Sequence, residues 1–175
     1  MENTPCVYSM MCRLVKAKNI EAVLEVLPII KANNGVVLLV GKGETYYENL
    51  ISKYKLQDDG LLFINRVASP LSAPALFSGS DFYLAPSVYE PCGLMPMSAS
   101  VFGAIPIVSQ KGGFKDNFND ENAIIIKDSM EDAIYQSIEL YKDKQALYNK
   151  RKICMEQEQF FWKNRKMKYI DLYEA

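Results

Sequence analysis

Phe82-Tyr83-Leu84-Ala85-Pro86-Ser87-Val88-Tyr89-Glu90-Pro91-Cys92-Gly93-Leu94 is the stretch on which the fold of this chain turns. It opens as a continuous apolar run of strand length, passes through a loop marked by Pro86, Pro91 and Gly93, and leads into a helix over 95–102. A strand apolar at every position is buried on both faces, which is the setting of a parallel sheet with helices on either side. A helix that starts just past a glycine aims free backbone N–H groups at the loop, and orphan donors and the helix dipole both favour an anion there. Glu90 adds a hydrogen-bond acceptor at the loop's start. The alternative is a plain tight turn made by Pro91 and Gly93, with Glu90 in solvent.

Runs of the same kind recur at 7–11, 36–40, 61–64, 105–108 and 124–126. Between them lie segments with helical spacing. Ile20, Val23, Leu24, Leu27 and Ile30 form one stripe, within which Pro28 predicts a kink or a shortened helix. Met130, Ala133, Ile134, Ser137, Ile138 and Tyr141 form another, opening on Ser129 with Asp132 at the spacing of a capped N-terminus. Strands alternating with helices imply right-handed βαβ units, hence an α/β fold with a Rossmann-like, doubly wound parallel sheet. With no internal repeat, low-complexity stretch or Gly/Ser linker, residues 1–175 read as a single domain. Residues 131–174 hold neither Gly nor Pro and are rich in Lys and Arg, with Phe160, Phe161, Trp162, Tyr169 and Tyr173 near the end. They predict successive helices meeting at an aromatic cluster, the last of them closing the chain at about 143–175. Such a tail can bind polyanions, but a solvated helix face over a docking stripe is the preferred reading.

The hydrophobic fraction of 49%, the 23% of charged residues and the net charge of −1 are those of an ordinary globular protein. They supply no general attraction to nucleic acid or an anionic membrane. No apolar run reaches bilayer length and the start lacks the pattern of a signal peptide, so a cytoplasmic setting is expected. Cys6, Cys12, Cys92 and Cys154 form no CxxC pair and there is no histidine, which predicts reduced thiols and no mixed zinc site. It also excludes Ser-His and Cys-His nucleophile pairs within the chain.

Ligands of open parallel sheets bind at the carboxyl ends of the strands, so the loops there are the candidates. After the run at 105–108, Gly112 and Gly113 permit close backbone approach to a ligand or a positive-φ turn. After 36–40, Gly41-Lys42-Gly43-Glu44 lacks the third glycine of a dinucleotide fingerprint and the Lys-Ser/Thr of a P-loop. Gly41 and Gly43 read as a strand-to-helix turn bordering a nucleotide. After 7–11, Arg13, Lys16 and Lys18 offer cations to a diphosphate, or are ordinary solvated surface.

In order along the chain, Asp81, Pro86-Ser87, Glu90-Pro91-Cys92-Gly93-Leu94, Gly103-Ala104-Ile105-Pro106, Gly112-Gly113-Phe114 and Asp116 resemble the signature of the C-terminal domain of bacterial glycogen synthases and plant starch synthases. Arg13-Leu14 with Lys18, and Phe161-Trp162 with Tyr169 and Leu172-Tyr173, are similar to that family's early and closing segments. The resemblance spans nearly the whole chain, and the ordered combination is far more specific than any one motif.

The resemblance implies one half of a GT-B fold, with the donor nucleotide held in a cleft that faces a second, N-terminal domain. It implies transfer of glucose from ADP-glucose to an α-1,4-glucan with retained configuration, no cofactor and no metal, in the cytoplasm or, for a plant parent, the plastid stroma. On the matching positions, Arg13, Lys18 and Glu90 are the catalytic set. Cys92, Gly93, Leu94 and Met95 hold the sugar and diphosphate, with Gly41, Gly43, Arg66, Gly112 and Gly113 as further donor contacts. Met95 and Pro96 stand where the family commonly has polar residues, and Arg66 stands where it often stacks an aromatic ring on the base. A UDP- or GDP-linked sugar, and a non-catalytic nucleotide-sugar or glucan-binding module, are the alternatives. An isolated domain of this kind is predicted to bind nucleotide without transferring glucose.

Overall fold

The computed structural model describes residues 4–67 and 72–174. Six parallel strands form its sheet: β1 (Cys6–Leu14), β2 (Gly35–Gly43), β3 (Leu61–Asn65), β4 (Phe82–Ala85), β5 (Ile105–Ser109) and β6 (Ile124–Ile126), in the spatial order β3-β2-β1-β4-β5-β6. Each apolar run expected to be a strand is one. The sequence order reverses across the β1–β4 seam, where the connections after the two strands leave in opposite directions and open a crevice.

The helices are α1 (Ile20–Ala32), α2 (Thr45–Ile51), α3 (Leu56–Asp59), α4 (Ser72–Ser78), α5 (Leu94–Val101), α6 (Phe114–Asn117), α7 (Met130–Lys142), α8 (Lys144–Met155) and α9 (Trp162–Glu174). They cover both faces, which is why the strand cores are near-continuous apolar runs. Phe82 and Leu84 of β4 enter the core beneath α1 and α7, whereas Tyr83 and Ala85 enter the core beneath α4, α5 and α6.

Two expectations meet a correction. Pro28 does not shorten α1, which continues to Ala32. The ring sits on the exposed side, while Ile20, Val23, Leu24, Leu27 and Ile30 bury the other side and hold the helix. Gly41 and Gly43, read as a strand-to-helix turn, instead belong to β2, whose pairing with β1 runs on to Leu14 and Gly43. Glycine permits this: a Cβ on Gly41 would lie 2.4 Å from the Cys12 carbonyl oxygen, and one on Gly43 2.2 Å from that of Leu14.

Ser129 caps α7 as its spacing predicts, accepting the Asp132 N–H at 3.0 Å. In the closing segment Phe160 packs on Phe118 with ring centroids 5.5 Å apart, and Ser100 of α5 donates to the Cys154 carbonyl of α8 at 3.0 Å. Tyr169 and Tyr173 are exposed, and the side chain of Trp162 lies outside the described residues. Among the described residues no helix is long and apolar enough to cross a membrane.

Candidate functional site

A cleft of about 390 Å³ opens at the carboxyl ends of β1 and β4. Its floor is Met10 to Cys12 and Tyr83 to Ala85, and its walls carry Arg13, Lys18, Glu90 and the start of α5. A second cavity of about 320 Å³ adjoins it, lined by Met11, Cys12, Arg13, Lys42, Val67 and Met95.

Lys18 reaches the cleft because β1 ends in a single 3₁₀ turn over Lys16–Lys18, after which Asn19 takes a left-handed conformation at φ 51°. The Val88 N–H donates to the Ala17 carbonyl at 3.0 Å, so this turn is fastened to the loop after β4. That loop is held from its other side by the connection after β5. The Gly113 N–H donates to the Glu90 carbonyl at 2.9 Å, Ser109 Oγ to the Ser87 carbonyl at 2.5 Å, and Asn117 Nδ2 to the Cys92 carbonyl at 3.3 Å. The close approach requires glycine. A Cβ on Gly112 would sit 2.0 Å from the Glu90 carbonyl oxygen, and one on Gly93, at φ 90°, would sit 2.5 Å from the Phe114 ring.

Two of the three charged residues expected to act here meet each other. Lys18 Nζ is 2.5 Å from Glu90 Oε2, with the side chains 23% and 13% exposed. Glu90 Oε1 accepts the Gly93 N–H at 3.2 Å, so the carboxylate is anchored at the foot of α5. Pro96 has no N–H, and the Met97 N–H is already bonded to the Gly93 carbonyl. The first turn of α5 therefore offers the N–H groups of Leu94 and Met95, which have no partner among the described residues. One ammonium, the guanidinium of Arg13 and two backbone donors suit an anion with several oxygens.

Cys12 is pushed up to about 12, first by burial, with Glu90 adding to the shift and Lys18 opposing it. Its thiol is protonated at neutral pH and is no nucleophile there. Tyr83 is likewise raised by burial. Its hydroxyl donates to the Met11 carbonyl at 2.7 Å and accepts the Met11 N–H at 3.3 Å, which makes it a brace beneath the cleft. Among the described residues no group of three His, Cys, Asp or Glu side chains is placed to hold a metal ion.

Residues 2–159 match the family described as glycosyl transferases group 1. The chain belongs to that family. It is 31% identical to the glycogen synthase of Geotalea daltonii over 98% of its own length and 37% of the relative's. It is 31% identical to that of Thermodesulfovibrio yellowstonii over 93% of its length and 34% of the relative's. The chain thus spans about a third of these curated relatives. Its fold superposes on the catalytic domain of starch synthase IV from Arabidopsis thaliana, solved with ADP and acarbose, at a TM-score of 0.84 and 22% identity over 97% of this chain and 38% of that one. The α/β Rossmann-like architecture is that of GT-B glycosyltransferases.

In this group 1 glycosyltransferase domain the expected residues divide in two. Arg13, Lys18, Glu90, Cys92, Gly93, Leu94 and Met95 all line the cleft. Gly41, Gly43, Arg66, Gly112 and Gly113 do not. The paired glycines 112 and 113 instead position the backbone around Glu90, and the Gly43 N–H is taken by Glu48 Oε1 at 3.0 Å. Arg66 is exposed, and its neighbour Val67 lines the second cavity instead. Asp81 of the signature lies at the far end of β4, where it accepts from Val7 N–H at 2.9 Å and from Arg151 Nη2 at 2.7 Å. Tyr83 and Lys42 were not singled out as site residues from the sequence. Tyr83 sits inside an apolar run, and the pairing that brings Lys42 beside Arg13 joins distant parts of the chain.

Proposed function

We propose that this chain is the donor-binding part of a retaining glucosyltransferase of the glycogen and starch synthase kind, moving glucose from ADP-glucose to an α-1,4-glucan. The observation that carries the reading is the convergence of Lys18, Glu90 and the free N–H groups of α5 on one cleft at the β1–β4 seam. The name of the glycogen synthase relatives and the ADP and acarbose held by the starch synthase neighbour support the choice of donor and acceptor.

In this reading the cleft receives the diphosphate and sugar, and the adjoining cavity receives the nucleoside. Departure of ADP concentrates negative charge on the diphosphate. Arg13, Lys18 and the Leu94 and Met95 N–H groups stabilise that charge without reorganising. Glu90 accepts from the hydroxyls of the transferred sugar. The acceptor and the remaining catalytic groups belong to a second domain across the cleft, and residues 143–175 are the closing helices of this one. The reaction takes place in the cytoplasm or the plastid stroma.

Calorimetric titration with ADP, UDP and GDP tests the donor: preference for ADP is expected, and preference for UDP or GDP moves the domain to another GT-B transferase. Arg13→Ala and Lys18→Ala are each expected to cost about 1.5–3 kcal/mol of ADP affinity, the size of one charge-assisted contact. AMP is expected to lose much less. Equal losses for AMP and ADP assign the pair another role. The 175-residue chain alone is expected to release no ADP from ADP-glucose with glycogen present. Robust glucan elongation by it overturns the two-domain reading.

A further inference from the structure

Lys18 and Glu90 are assigned to different parts of the donor, the diphosphate and the sugar, yet each is the other's partner at 2.5 Å. The carboxylate is the fixed member. One oxygen is held by the Gly93 N–H, and the Glu90 carbonyl is held by Gly113 with Gly112 pressed against it. Lys18 is the movable member, a compact charge on a four-carbon stem. Glu90 Oε2 thus stands at the ammonium as a phosphate oxygen would, in a cleft that shields the pair more than open surface does.

We infer that Glu90 is a specificity-determining residue that competes with the donor diphosphate for Lys18, so that it is released toward the sugar only when a diphosphate takes the ammonium. This rests on the reading of the cleft as a diphosphate site. The exchange favours a ligand that delivers both groups. A free sugar finds Glu90 engaged, and an anion must offset the Lys18–Glu90 pair, which a diphosphate does by reaching Arg13 and the Leu94 and Met95 N–H groups as well. Diphosphate and sugar then bind cooperatively, each strengthening the other by the same factor.

The test is a double-mutant cycle on the 175-residue chain with inorganic pyrophosphate as the probe, read by calorimetry. Glu90→Gln keeps the side chain's shape and an oxygen for the Gly93 N–H while removing the charge. In the Lys18 background it is expected to tighten pyrophosphate about tenfold, equivalent to ~1.4 kcal/mol. In a Lys18→Ala background the same change is expected to have little effect, because there is no pair left to break. Lys18→Gln serves as the background if Lys18→Ala loses its cooperative thermal transition. Unchanged or weaker pyrophosphate binding in Glu90→Gln, with the parent chain still binding it, overturns the inference and leaves the diphosphate site standing. Equal tightening in both backgrounds also overturns it, since that is the mark of general repulsion by a carboxylate. A parent chain that binds neither pyrophosphate nor ADP sinks the diphosphate reading and the inference together.

Discussion

Replacing Gly112 by alanine probes the clasp between the two loops of the cleft, and the structure supplies its own control. Gly112 has φ +51°, and a Cβ there would lie 2.0 Å from the Glu90 carbonyl oxygen and 3.0 Å from its carbon. Gly60 also has positive φ, +72°, but its Cβ would meet nothing nearer than the Lys31 Cβ at 3.4 Å. An L-residue in the left-handed region costs ~1–2 kcal/mol wherever it is placed. Gly60→Ala should lose that amount and no more. At Gly112 the added atom meets backbone, which cannot swing aside as a side chain does, so the loop carrying Glu90 must retreat. Overpacking of this kind costs a further ~1–3 kcal/mol. Gly112→Ala is therefore expected to lose ~2–5 kcal/mol in urea unfolding, seen as a lower midpoint at unchanged slope. A Gly112→Ala loss within ~0.5 kcal/mol of the Gly60→Ala loss, the margin within which independent substitutions add, would refute the clasp.

Asp81→Asn is expected to destabilise by ~1–3 kcal/mol, because the amide nitrogen cannot accept and either the Val7 N–H or Arg151 loses its partner. ADP affinity should be unchanged; a loss of affinity at full stability would place Asp81 in the site. Stability should also fall as pH rises above 9, because burial pushes the Cys6 thiol to about 12 and the Cys154 thiol to about 11 from 9.0. Above pH 9 the unfolded chain sheds these protons while the folded one keeps them, which favours unfolding by at most ~1.4 kcal/mol per pH unit for each group. Urea midpoints at pH 8 and pH 10 check this, with a shallower decline expected for Cys154→Ala; identical declines for parent and variant would contradict it.

The strand cores, the buried stripe of α1 and the Ser129 cap were legible in the sequence because each depends on neighbours within a few residues. Burial on both faces leaves an uninterrupted apolar run, and a cap needs only the right residue at the right offset. The ordered motif from Asp81 to Gly113 pointed to the sheet's carboxyl edge because most of it follows two strands, where open parallel sheets bind their ligands. What it did not separate were residues that touch the cleft from residues that build it. Asp81 and the glycines at 112 and 113 share the motif with Glu90, yet Asp81 pins the opposite end of β4 and the glycines press on Glu90's backbone. Lys42 comes to Arg13 through strand pairing, and Lys18 comes to Glu90, 72 residues away in the chain, through the Ala17–Val88 hydrogen bond. Only tertiary structure decides such contacts, because strand order and loop packing set which chain segments share an edge, and local periodicity carries no record of either.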